Sequence, residues 1–203
     1  NDREGIAVNF YREKNYHNRG KLMTKILHKL ILILSICFFV GCASSARYTM
    51  MIPDGETLKP VPDNFFLKNE IFLTEVTGGE ETNPMWTSEV DNEGFRKAIE
   101  ESLRYQQLLA PGNSDGKYRL RVNLEEVDQP SFGLNFTVTS TANYLLQGNK
   151  SKNTIFDKKI TSSHTATFGD AAYGPNRLKL ANEGSIKENI KNFISMLLQL
   201  KGE

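Results

Sequence analysis

Cysteine, histidine and tryptophan are scarce in this chain: its 203 residues include two Cys, three His and one Trp. Two thiols cannot build a disulfide framework or a four-thiolate zinc site. An excess of one charge is missing too. With 25 Lys and Arg against 24 Asp and Glu, the net charge is +1, which gives little attraction for a nucleic acid. Long apolar runs are also absent, since the stretch from Leu30 to Val40 has only eleven uncharged residues. As a helix it would reach roughly 17 Å, well short of a hydrocarbon core of roughly 30 Å. There is no G-x-x-x-x-G-K-[ST] or G-x-G-x-x-G to cradle a nucleotide phosphate. Internal repeats are lacking as well. The length is that of one domain with an appendage.

What is present breaks sharply near residue 42. Lys25 and Lys29 precede the apolar run, and Gly41-Cys42-Ala43-Ser44-Ser45 follows it. A positive n-region, an apolar h-region and small residues at the cut together make a secretory signal peptide. Phe39-Val40-Gly41-Cys42 resembles the lipobox of bacterial lipoproteins. That resemblance implies cleavage between Gly41 and Cys42 and acylation of Cys42 as the new N-terminus. Three acyl chains anchor a protein stably, whereas one holds it only marginally. Ala43 resembles the residue that sorts such proteins to the outer membrane, because Asp at that place is associated with inner-membrane retention.

The expected organisation has four parts. Residues 1–22 contain no methionine and precede Met23, and they are expected to be an untranslated or mis-called extension. Residues 23–41 are the lipoprotein signal peptide. Residues 42–63, with Pro53, Gly55, Pro60 and Pro62, read as the lipidated Cys and a flexible tether, and 64–203 as a periplasmic domain. Removing 1–41 takes away seven basic and three acidic residues, leaving a net charge of −3. It also removes Cys37, His17 and His28, so only His164 remains and no multi-His or Cys/His metal cluster can form.

Within the domain, Phe65-Phe66-Leu67 through Ile71 to Val76 reads as a first strand bounded by Gly78-Gly79. Asp91 or Asn92 caps a helix with apolar positions Phe95, Ala98, Ile99, Leu103 and Leu108. Tyr118, Leu120, Val122 and Leu124 alternate strictly. Leu134, Phe136, Val138, Ser140, Ala142 and Tyr144 form a second alternating run, with Gly148-Asn149 turning it into a fourth strand over 153–168. A helix from about Asn176 to Leu200 carries a stripe of Ala181, Ile186, Ile190, Phe193, Ile194, Leu197 and Leu200. The expectation is an α+β two-layer sandwich of order β-α-β-β-β-α. Its four-stranded sheet is mainly antiparallel, with two helices on one face and the other face polar and open.

Candidate chemistry is thin. Ser163 and His164 are neighbours on a strand and point to opposite faces, so they cannot be nucleophile and base. His164 reads as a polar residue on the exposed sheet face. The doublets Glu80-Glu81, Glu100-Glu101 and Glu125-Glu126 read as solvated faces rather than paired glycosidase carboxylates. Thr167 to Arg177 reads as a strand-to-helix connection, with Pro175 in the first turn and Asp170 or Asn176 capping. Trp86, with Pro84 and Met85, is either an anchor closing the core or a partner contact. Tyr173 joins Trp86 and Met85 as a candidate contact.

Trp86-Thr87-Ser88-Glu89-Val90, the Tyr118 strand, Asp128-Gln129-Pro130 and Leu180-Ala181-Asn182-Glu183-Gly184 before Asn189-Ile190 carry a wider resemblance. Over about residues 65–200 the chain resembles a family of uncharacterised proteobacterial lipoproteins. In architecture it is similar to small envelope lipoproteins that assist assembly. The resemblance implies no established activity, and no catalytic residue, cofactor or metal is expected. The first reading is a non-catalytic outer-membrane lipoprotein, held by lipid on Cys42, whose domain binds an envelope protein through the sheet face or the Gly78–Trp86 loop. Nucleic acid is not an expected partner. A small-lipid carrier is the alternative and a periplasmic enzyme the third reading.

Overall fold

A computed structural model describes residues 44–81, 89–113 and 115–202, together with Lys25 and Lys29 of the N-terminal part. The chain divides into two compact units, Asn1–Cys42 and Ala43–Glu203. In the first, Lys25 and Lys29 are helical and exposed. All further description concerns the second. No helix among the described residues is long and apolar enough to cross a membrane.

The second unit is α+β, with a four-stranded open sheet and three helices. In chain order it runs α1 (Tyr48–Met51), β1 (Ile71–Thr77), α2 (Asn92–Tyr105), β2 (Tyr118–Asp128), β3 (Phe136–Gly148), β4 (Thr154–Ala166) and α3 (Gly174–Leu197). The strands lie in sequence order, β1-β2-β3-β4. The sheet is mixed, which corrects the expectation of a mainly antiparallel one. Because α2 carries the chain back across the sheet, β1 enters parallel to β2, with Ile71 opposite Tyr118 and Thr77 opposite Asn123. β2, β3 and β4 form an antiparallel meander.

Local chemistry explains the elements. Asp91 caps α2, its carboxylate accepting from Gly94 N at 2.6 Å. The helix ends in a Schellman closure. Gln107 lies at φ 52°, with Gln107 N donating to Arg104 O and Leu108 N to Leu103 O. That closure drops Leu108 into the core just beyond the helix to which its spacing had assigned it. Gly78 turns the chain out of β1 at φ 85°; a Cβ there would lie 1.8 Å from Leu124 O, so only glycine fits. In β2 the register slips between Leu124 and Glu126. This bulge sets Val127 opposite the inward Ser140 and packs it against the core.

The inner residues Leu73, Leu120, Val122, Ala142 and Tyr144 join Phe95, Ile99 and Leu103 of α2 and Ile190 and Phe193 of α3 in one continuous core. Tyr144 stacks on Phe193 with ring centroids 4.1 Å apart, and Phe156 meets Phe193 edge-on. The outer face carries three hydroxyl pairs, Thr137–Thr165, Thr139–Ser163 and Thr141–Thr161, at 2.8 to 2.9 Å.

Two further expectations are corrected. Phe65–Leu67 forms turns, with Phe66 edge-on to Tyr118, and β1 begins only at Ile71. The segment read as a flexible tether is folded onto the domain from Ser44 onward: Met51 is completely buried, and Ala46 and Leu58 nearly so. An apolar residue every few positions lets this stretch bury itself despite its prolines.

Candidate functional site

One end of the sheet gathers the features that sequence reading had scattered. Here β1 and β2 finish, β3 begins, β4 finishes, and α2 and α3 have their first turns. Segments 44–54, 78–81 and 89–91, the β2–β3 tip at 129–135 and the β4–α3 connection at 167–173 meet at this end.

The N-terminal segment is clasped by α3. Lys179, Glu183 and Lys187 recur every four residues and so share one helix face. Lys179 Nζ donates to Ser44 Oγ at 2.8 Å. Arg47 N and Nε both donate to Glu183 Oε1 at 2.9 Å, and a second guanidinium nitrogen donates to Oε2 at 3.1 Å. Lys187 pairs with Asp54 at 3.2 Å. Glu183 is only 2% exposed, so this is a forked pair with one buried partner. The Glu183 carboxylate, by hydrogen bond and by charge, raises the Arg47 pKa above its ordinary value. On the other side, Ala46 N donates to Glu89 O, and Glu89 Oε2 accepts from Gln129 Nε2 at 2.9 Å. The entering chain is thereby linked to the base of the β2–β3 tip.

Arg177 joins that tip to the β4–α3 connection. Its guanidinium donates to Gly133 O on the tip and to Ala171 O and Ala172 O on the connection, at 2.6 to 3.2 Å. It also lies over the rings of Phe136 and Phe168, 4.7 and 5.6 Å from their centroids. Phe168 N reaches Asn135 Oδ1. Held in this way, Phe132 is 89% exposed, Leu134 75% and Phe168 54%. Leu134 had been read as an inward strand residue. It lies before the strand begins, in the tip.

Asp170 closes the turn of the β4–α3 connection instead of capping α3. Its Oδ2 accepts from Thr167 N at 2.7 Å and Thr167 Oγ1 at 2.8 Å. The N-cap of α3 is Tyr173, which gives no side-chain cap, and Pro175 occupies the first turn. The Thr167 hydrogen bonds, from backbone first and side chain second, hold the Asp170 pKa below its ordinary value. Since the folded pKa is depressed, the turn's stabilisation is complete above the ordinary carboxylate range and is lost as pH falls through the folded value. The expected result is that the Thr167 amide resonance stays unmoved down to about pH 4, the ordinary Asp range, and shifts only below it. A Thr167 shift centred at or above that range contradicts this hydrogen-bonded turn.

The residues singled out from sequence divide as follows. Cys42, Gly41, Met85 and Trp86 lie outside the described residues. Tyr173 is found at this end of the sheet, 40% exposed. His164 is not on the open face. It stands opposite the inward Val138 and lies against α3, where a Cβ on Gly184 would come within 2.1 Å of its ring. The missing side chain at Gly184 leaves room for an imidazole that strand alternation puts on the α3 side of the edge strand, although His164 remains exposed. Ser163 faces the other way and bonds Thr139. The acidic doublets are dispersed: Glu100 bonds Asn113, Glu101 pairs with Arg104 and Glu125 pairs with Lys159. Glu80, Glu89, Glu125, Glu126 and Asp128 line a cleft of about 380 Å³ beside Gly78. Among the described residues no three His, Cys, Asp or Glu are grouped to hold a metal ion.

Arg47 and Phe132 were not singled out from the sequence, and Phe168, Arg177 and Glu183 were noted only within longer stretches, without these roles. The tip alone left a signal, since Phe132-Gly133-Leu134 puts two large apolar residues in a turn marked by Pro130.

No family model matches the chain, and no curated protein matches it. Among solved structures it is similar to protein XCC0632 of Xanthomonas campestris, of the DUF330 family. The two are 8% identical, with 72% of this chain and 93% of that one covered at a TM-score of 0.49. It is also similar to a candidate lipoprotein of Caulobacter crescentus, with 16% identity, 65% and 89% coverage and a TM-score of 0.44. A third is lipoprotein GNA1162 of Neisseria meningitidis, with 10% identity, 63% and 96% coverage and a TM-score of 0.31.

Proposed function

We propose that this chain is a non-catalytic lipoprotein, anchored by lipid on Cys42 at the periplasmic face of the outer membrane, whose domain binds an envelope partner. The observation that carries the reading is the succession of Phe39-Val40-Gly41-Cys42 and, two residues later, a segment clasped on α3 by Ser44 and Arg47. The Arg47–Glu183 fork holds the chain against the domain a few residues after the anchor. The partner surface is the open sheet face. Its paired Thr and Ser hydroxyls, flanked by Arg119, Arg121 and the Lys159–Glu125 pair, offer a polar surface suited to protein contact.

Lipidation is tested on the full-length chain in cells. Globomycin should cause the unprocessed precursor to accumulate, and Cys42→Ala should move essentially all of the protein out of the membrane fraction. Normal fractionation of Cys42→Ala would sink the anchoring. A photo-crosslinking residue at Thr139 tests the partner surface. It should yield a discrete adduct that the same residue at Tyr105, on an exposed helix end, does not; equal labelling at both positions counts against the sheet face.

A further inference from the structure

The geometry points to Phe132, Leu134 and Phe168 as a wedge that enters the lipid surface beside the anchor and fixes the domain's orientation. This rests on the lipidation of Cys42 proposed above and goes beyond it, since an anchor alone leaves a domain free to turn. Three observations converge. The tip and the β4–α3 connection expose their largest apolar side chains at one end of the sheet, where a water-facing loop would carry polar ones. Arg177, itself only 5% exposed, ties Gly133 on one segment to Ala171 and Ala172 on the other, so the three side chains are presented together. The entering chain arrives at this same end, through Ser44 on Lys179 and through Ala46, Glu89 and Gln129 at the tip's base.

Chain length then decides the occupant. Only Ala43 separates Cys42 from Ser44, so the acylated residue stands within about 7 Å of a docked one. No lipid surface can hold Cys42 and leave this end of the domain far away. Two phenylalanine rings and a leucine are side chains that bury at the boundary between headgroups and acyl chains. Charge does not assist: Glu80, Glu81, Glu89, Asp91 and Asp170 lie at the same end, while Arg47 is paired with Glu183 and Arg177 is buried against backbone carbonyls. The contact is therefore apolar, and salt should not dissolve it.

The test uses the mature lipidated protein in vesicles of phosphatidylethanolamine and phosphatidylglycerol carrying a doxyl-labelled lipid. With Cys37 removed and Cys42 acylated, Phe132→Cys and Lys150→Cys each present a single thiol for an environment-sensitive fluorophore. Position 150 is on the β3–β4 hairpin, at the far end of the sheet. The label at 132 should be quenched at least about threefold more than the label at 150, and equally in 1 M salt. Equal quenching at the two sites, on protein that floats with the vesicles, overturns the wedge and leaves the anchor standing. Failure to float, with an unmodified mass at Cys42, overturns the anchor and the wedge together. In the water-soluble protein that begins at Ala43, without the leader and both native cysteines, the label at 132 should stay water-exposed at every concentration. Shielding that grows with protein concentration would assign this end to a second copy and overturn the lipid contact.

Discussion

Asn189→Leu is expected to destabilise the domain by about 3–5 kcal/mol, a large part of the roughly 5–15 kcal/mol that holds a domain of this size together. Asn189 is completely buried on α3, in the middle of what reads as an apolar stripe. Its Oδ1 accepts from the Tyr144 hydroxyl at 2.9 Å, and its Nδ2 donates to Ser140 O at 3.0 Å and Ile160 O at 2.9 Å. One amide thus ties α3 to both β3 and β4. Leucine has a similar volume, so the change creates little cavity. The cost arises from a hydroxyl and two carbonyls deprived of their partner where water cannot replace it, at about 1–3 kcal/mol per group and less than additively. Urea denaturation reads the loss directly. Adding Tyr144→Phe to Asn189→Leu should recover about 1 kcal/mol or more, because the orphaned hydroxyl is then gone. A single variant within about 0.5 kcal/mol of the parent would show that the amide does not hold the layers together.

The same network has a pH signature. Burial raises the Tyr144 phenol above its ordinary pKa. The stabilisation is therefore complete below the unfolded value near 10 and is lost as pH rises beyond it. In Tyr144→Phe that alkaline decline should be shallower, although the variant starts less stable.

The parts of this fold written in period and punctuation could be read from the sequence. Phe95, Ala98, Ile99 and Leu103 follow a helical period and are buried on α2. Leu120, Val122 and Leu124 alternate and face inward on β2. Parallel pairing of β1 was not legible, because a strand's sequence does not state its neighbour's direction. Only the length of the α2 crossover points to it. Docking of 44–58 was hidden as well. Four breakers, Pro53, Gly55, Pro60 and Pro62, suggested slack chain, but Met51 and Leu58 needed only a groove beside α3 that no local pattern reveals. The site was less legible still. Arg177 and Glu183 count only as charges in a composition; burial, which depends on distant carbonyls and on Arg47, gives them their role. The role of Asn189 was hidden for the same reason, since it interrupts an apolar stripe whose period is otherwise sound.

Breaking the clasp is the second large effect, and it separates the role of the N-terminal segment from that of the core. Arg47→Ala leaves the Glu183 carboxylate with the backbone N of residue 47 in place of a three-point grip. Removing one partner of a fully buried pair costs about 3–5 kcal/mol. The Arg47 side chain is half exposed, so water relieves part of that, and about 1.5–3 kcal/mol is expected. The loss should be local. Hydrogen exchange should quicken over residues 44–58, and proteolysis should begin there, while amides of β2 and β3 keep their protection. Glu183→Gln retains an acceptor for the backbone N–H and should fall between parent and Arg47→Ala. Uniform acceleration across the sheet would instead make Arg47 part of the core's own stability. A freed stretch of about 15 residues spans roughly 20 Å as random coil, enough to let the domain leave the surface. The effective concentration of the tip at the bilayer then drops. In lipidated Arg47→Ala the fluorophore at 132 should accordingly be quenched less than in the parent but more than the one at 150. The clasp brings the apolar side chains to the surface, and the side chains themselves retain part of the contact once it is lost.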